Sequence, residues 1–124
     1  MEQRIYFFHM NESRYAEYLQ LCKGLGIETC IVPEQKHCLS IGHIAGIPGV
    51  SARAAEDADQ RIGEEMLLLF GLDGRALNTF LAAVREAGIR PVALKAVVTP
   101  VNSRWSARRL FAELQKERSA MREL

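Results

Sequence analysis

Leu67-Leu68-Leu69-Phe70 opens the stretch whose reading decides the fold, residues 67–95. The apolar run has the length of a short buried strand. Asp73 follows as a helix N-cap, a residue type whose side-chain oxygen accepts an orphan backbone N–H. Leu77, Phe80, Leu81, Val84 and Ala87 then recur at helical spacing, one apolar stripe for burial. Gly88-Ile89 predicts a left-handed cap with the isoleucine folded back on the last turn. Val92-Ala93-Leu94 returns to extended chain. The whole reads as β-α-β.

Residues 5–33 have the same plan at an offset of 62 (88 − 26), without a gap. Ile5-Tyr6-Phe7-Phe8 matches the first run and Asn11 matches Asp73. Tyr15, Tyr18, Leu19, Cys22 and Leu25 match the helical stripe. Gly26-Ile27 matches Gly88-Ile89, and Thr29-Cys30-Ile31-Val32 is the second strand. Identities between the copies are few, so this internal repeat is one of structural plan. Two such units predict a two-layer α/β sandwich in a ferredoxin-like arrangement: one sheet of four strands, with both repeat helices on one face. The alternative is an open parallel sheet with helices on both faces. The apolar Met66–Phe70 strand leans that way, since it suits burial on two faces.

A single domain over 1–124 is expected, with the first unit at 5–33, an inserted linker segment at 34–65, and the second unit plus a C-terminal helix at 66–124. Within the insert, Cys38 to Ile47 reads as a short helix or packed turn, closed by Pro48-Gly49. Ser51 to Glu64 is charged and alanine-rich, with Ile62 its one large apolar residue, and reads as a surface loop. The final helix, about Ser103 to Leu124, sets Ala107, Leu110, Phe111, Leu114 and Met121 on its buried side.

Between the second unit and that helix lies Lys95-Ala96-Val97-Val98-Thr99-Pro100-Val101-Asn102-Ser103-Arg104-Trp105. It reads as a strand, a proline stop and a helix start capped by Asn102 or Ser103. Lys95 interrupts the apolar strand, on the same face as Ala93, Val97 and Thr99. The plain reading is a lysine whose stem covers apolar surface while its ammonium reaches water. The functional reading is an anion site at the helix N-terminus, formed by Lys95, Thr99, Asn102, Ser103, Arg104 and Trp105. Trp105 reads first as a core anchor.

Lys95-Ala96-Val97, Thr99-Pro100, Asn102 and Trp105 resemble the pattern of a bacterial family, domain of unknown function 3783. Glu65-Met66-Leu67, Gly71 and Leu77 to Ile89 fit as well, and Ile41-Gly42 with Ala45 to Gly49 resembles what often precedes that domain. The likeness covers the C-terminal half well and implies no activity. Ser103 and Arg104 fall in its variable gap.

Composition narrows the function. Sixteen Lys+Arg against 15 Asp+Glu leave +1, so no global field draws nucleic acid. No apolar run suits a membrane span, and Met1 to Arg4 carries no secretory pattern. Cys22, Cys30 and Cys38 match neither a disulfide framework nor a zinc spacing, which predicts reduced thiols in a cytoplasm. His37, Cys38 and His43 lack a tight ligand pair, so no metal and no cofactor is expected. Phosphate loops, nucleophile elbows and H-E-x-x-H are absent. The expected function is a small bacterial cytoplasmic ligand- or protein-binding module, regulatory in character. Its expected partners are a small anion and a second copy of itself. The alternative is a small metal-independent enzyme using Lys95 with Thr99 and Asn102.

Overall fold

A computed structural model describes residues 2–122; Met1, Glu123 and Leu124 lie outside the described residues. The long elements are β1 (Arg4–Phe8), α1 (Glu12–Leu25), β2 (Glu28–Val32), the short α2 (Ile41–Ile44), β3 (Met66–Phe70), α3 (Gly74–Glu86), β4 (Leu94–Val97) and α4 (Ala107–Arg122). The strands form one sheet in the order β2-β1-β3-β4. β1 runs parallel to β2 and β3 parallel to β4, while β1 and β3 meet antiparallel at the centre. This is the expected α/β sandwich with two β-α-β units in succession. Each crossover closes on an adjacent strand.

The two units match in detail. Asn11 caps α1 by accepting from the Arg14 N–H, and Asp73 caps α3 by accepting from the Ala76 N–H. Gly26 and Gly88 are both left-handed, at φ 73° and 69°. The Ile27 N–H reaches the Cys22 carbonyl at 3.0 Å and the Ile89 N–H the Val84 carbonyl at 3.1 Å, the wide bond of a glycine-closed helix. Tyr6 and Leu68, equivalent at the offset of 62, are partners across the central pairing. The gap-free superposition breaks after the glycines. Arg4 pairs with Glu28, but its equivalent Met66 pairs with Leu94, so the second unit uses four more residues to reach its strand. Those extra residues, Arg90 to Ala93, bring the Arg90 carbonyl to the Arg14 guanidinium (2.7 Å) and the Tyr18 hydroxyl (3.1 Å).

Alternation along the central strands makes two cores. Ile5, Phe7, Leu67 and Leu69 pack under α1 and α3, with Tyr18, Cys22, Phe80 and Val84. Tyr6, Phe8, Met66 and Leu68 face the other way, and that face is covered too, by Ile41, Ala45, Ile62, Leu110 and Phe111. The insert and α4 therefore close the face that a pair of repeat helices leaves open, and the case for self-association through that face falls away. Met121, expected on the buried side of α4, is 73% exposed, because the last two turns of the helix have left the core behind. Gly42 is where the insert touches the C-terminal half most closely: a Cβ there would lie 3.0 Å from the Ser103 carbonyl oxygen and 2.7 Å from Val50.

One contact was hidden in the sequence. Glu65 reads as part of the charged linker, yet it accepts two bonds from Arg14, at 3.0 and 2.9 Å, beneath the extra turn of Arg90. Arg14 is buried, and its guanidinium holds the Glu65 carboxyl below the usual carboxylate range despite the opposing effect of burial. Glu65→Gln should cost about 3 kcal/mol, the scale for breaking a largely buried pair. Urea unfolding at neutral pH measures it. The difference from the parent should shrink as pH falls through the Glu65 range, since a lowered carboxyl pKa gives stability that acid removes.

Candidate functional site

β4 is an edge strand, and its backbone groups alternate between β3 and the outside. The Val98 N–H donates to the Leu69 carbonyl at 3.0 Å, so even-numbered residues here face β3. Lys95, Val97 and Thr99 therefore present their N–H and C=O groups outward. Asn102 answers two of them: its Nδ2 donates to the Val97 carbonyl at 2.9 Å and its Oδ1 accepts from the Thr99 N–H at 2.8 Å. One side-chain amide thus pairs with the strand as a peptide unit of a fifth strand would. Thr99 completes the turn, its Oγ1 accepting from the Asn102 N–H at 3.1 Å and its carbonyl accepting from the Ser103 N–H at 3.0 Å. Ser103 Oγ donates to the Pro100 carbonyl at 3.0 Å.

These bonds change the reading of the stretch. Asn102, Ser103 and Arg104 form one 3-10 turn, Trp105 is extended, and α4 begins only at Ala107. The N-cap is Ser106, whose Oγ accepts from the Arg109 N–H at 3.0 Å. Asn102 and Ser103, expected as caps, are committed backward to the strand. Tertiary pairing imposes the delay: the Trp105 carbonyl accepts from the Ile41 N–H at 2.8 Å, and the Ser106 N–H donates to the Glu56 carbonyl at 2.8 Å. A segment held between two other backbones stays extended.

The true N-terminus of α4 already has an anion. Asp57, from the insert, accepts from the Ser106 hydroxyl and from Arg108, with Nε at 3.2 Å. Burial works to raise the Asp57 pKa, but bonds from Arg108 and Ser106 outweigh it and hold the carboxyl below its ordinary value. Arg109 bonds Glu56 at 2.7 Å and stacks on the half-buried Trp105 ring at 5.0 Å. The chain's own carboxylate fills the place where a bound anion was expected.

Of the six expected site residues, Thr99, Asn102 and Ser103 come together in one turn. Arg104 is exposed and lines a separate hollow with Arg53 and Ser40. Trp105 packs on the second core. Lys95 is half-buried, and its ammonium turns back along the strand to donate to the Val92 carbonyl at 2.8 Å. Beside it, β4 and the far half of α4 leave an open groove of about 390 Å³. Leu94, Lys95, Leu114, Arg118, Met121 and Arg122 line it. The helical stripe of the sequence reading put Leu114 and Met121 together; their meeting with Lys95 depends on α4 crossing the edge strand.

The histidine and cysteine group also resolves. His37 is buried against Phe8, with ring centroids 5.3 Å apart, and its Nε2 lies 3.0 Å from the Val32 carbonyl. Cys38 and His43 are exposed. Among the described residues no group of three or more His, Cys, Asp or Glu is placed to hold a metal ion. Cys22 is buried in the first core, which pushes its thiol up to about 11.

Two measurements check this geometry. Asn102→Ala strips partners from the edge of β4 and should lower stability by about 2 kcal/mol. Asn102→Asp should not restore it, because the donor to Val97 is lost; denaturant midpoints compare them. Burial lowers the His37 pKa below its ordinary 6.5, against the Val32 bond and the Glu34 charge, which raise it. The unfolded chain then takes up a proton that the folded chain refuses, so this contribution is whole above pH 6.5 and is lost as pH falls below it. Melting temperature should drop more steeply from neutral to mildly acid pH for the parent than for His37→Gln.

No helix among the described residues is long and apolar enough to cross a membrane. No curated protein matches the chain. No solved structure matches it either. The C-terminal half of the chain, residues 65–121 from the start of β3 into the last turns of α4, matches the family model described as Domain of unknown function (DUF3783), a family with no established activity.

Proposed function

We propose that the protein is a binding module of the bacterial cytoplasm that takes an anionic, partly apolar ligand in the groove between β4 and α4. The observation that carries this reading is the groove's make-up. Lys95, Arg118 and Arg122 surround an apolar strip of Leu94, Leu114 and the exposed Met121. Arg118 is already paired with Glu64 at 3.0 Å and Glu117 adds an acidic group to the rim, so among the described residues Lys95 and Arg122 leave one net positive charge. Of the residues lining the groove, all but Arg122 lie within the matched residues 65–121. An open groove favours regulation by binding over catalysis, which works best where water is excluded. Lys95 donates to a backbone carbonyl, and among the described residues no carboxylate or imidazole is bonded to it, so the enzyme reading gains nothing here. The three free thiols suit a reducing compartment. The matching caps at Asn11 and Asp73, the left-handed Gly26 and Gly88 and the pairing of the equivalent Tyr6 and Leu68 support reading the two units as an internal repeat.

A thermal-shift series with acetate and octanoate tests the groove. Octanoate at ten times its Kd should stabilise by about 1.4 kcal/mol, a rise of about 5 °C for a domain of this size. Acetate should do less, and Lys95→Met and Met121→Glu should each lose the octanoate response. No shift with octanoate, or an undiminished shift in Lys95→Met, overturns the reading.

A further inference from the structure

The two edges of the sheet are treated differently. Asn102 plugs β4, whereas among the described residues none plugs the outer edge of β2. The Glu28 N–H donates to the Gln3 carbonyl at 2.9 Å, so Glu28, Cys30 and Val32 turn their backbone groups toward β1. Thr29 and Ile31 turn theirs outward. Among the described residues, the contact recorded to those outward groups is a long one, the Cys30 thiol 3.7 Å from the Ile31 carbonyl. Cys30 is exposed, and Ile31 is 44% exposed, a large apolar side chain beside open backbone. Natural sheets usually guard such an edge with lysine, proline or a bulge. Within β2, Glu28-Thr29-Cys30-Ile31-Val32 offers none of these.

We infer that β2 pairs antiparallel with β2 of a second copy, about a two-fold axis passing beside Cys30. The parity of the strand favours this occupant. Thr29 and Ile31 are the outward residues and lie symmetrically about Cys30. In that register Thr29 of each copy exchanges both backbone bonds with Ile31 of the other. A C2 interface must be self-complementary, and this one is. Charge agrees: Glu28 falls opposite Val32, and no charged residue of β2 meets a like charge. Thr29 and Ile31, both β-branched, become cross-strand neighbours. The sheet continues across the axis from four strands to eight.

The register makes a sharp demand. Cys30 faces its own copy as a non-hydrogen-bonded pair, with Cα atoms about 4.5 Å apart, inside the about 4.4–6.8 Å that a disulfide spans. Diamide, which takes up the two electrons and two protons that a pair of thiols gives up, should therefore trap a covalent dimer at tens of micromolar protein. The dimer should survive Cys38→Ser and vanish with Cys30→Ser. Sedimentation without oxidant supplies a second readout. The parent should run as a dimer. Ile31→Pro, which removes an outward N–H and leaves the bonds to β1 intact, should run as a monomer with unchanged helical circular dichroism. Ile31→Lys should do the same should the proline disturb folding. A monomeric parent, a cross-link through Cys38, or a dimer that persists in both Ile31 variants overturns the inference.

Discussion

The antiparallel pairing of β1 with β3 is the constraint on which the rest depends. From Ile5 to Phe8 and from Met66 to Leu69 every side chain is buried, on both faces of the sheet. Strands of that composition leave no face for water, so two separate covers have to be found. The repeat helices supply one, through Tyr18, Cys22, Phe80 and Val84. The other is assembled from parts without regular pattern: Ile41 and Ile44 of α2 with Ala45 and Ile47 just after it, Ile62 from an irregular segment, and one side of α4. The insert therefore supplies half of the buried residues of that cover, Ile41, Ala45 and Ile62 against Ala107, Leu110 and Phe111 of α4, although most of it carries no secondary structure.

That second cover is fastened by polar contacts. Residues 57–65 carry no backbone–backbone hydrogen bond to the rest of the described chain outside helices and strands. They are held through Asp57 to Ser106 and Arg108, Gln60 to Gln115, Glu64 to Arg118, Glu65 to Arg14, and Ile62 in the core. Exposed ion pairs contribute little each. The Arg14–Glu65 pair is the exception: it is largely buried, satisfied by geometry, and placed where the chain enters β3. It ties the first helix to the second unit at the level where Arg90 to Ala93 lengthen that unit. The one departure from matching registers is thus where the two units grip each other.

Asn102 shows how one side chain decides both a local fold and an outer surface. By standing in for a neighbouring strand at Val97 and Thr99, it ends β4 and closes that edge, while the pairing of Trp105 and Ser106 with Ile41 and Glu56 delays the helix to Ser106. The delay puts Ser106 and Arg108 against Asp57 and carries α4 across β4, where the groove beside Lys95 opens. The asparagine and tryptophan of the family pattern have structural work here: one plugs an edge, the other packs on the second core beneath Arg109.

The sequence by itself determined what depends on neighbours along the chain. The helix stripes apart from the exposed Ala87 and Met121, the caps at Asn11 and Asp73, the left-handed glycines 26 and 88 and the doubly buried Met66–Leu69 run were legible, because spacing and φ preference act over a few residues. The resemblance at Lys95 to Trp105 was legible for the same reason, being carried by local spacing, and residues 65–121 match that family. Tertiary structure decided what depends on partners distant in sequence. Asn102 looks like a cap until an edge strand lies beside it. Glu65 looks solvated until Arg14 arrives from 51 residues away. Lys95 and Met121 share a groove only because α4 crosses the sheet edge. Local pattern sets which backbone groups and apolar faces need partners; only the folded chain sets which partners reach them.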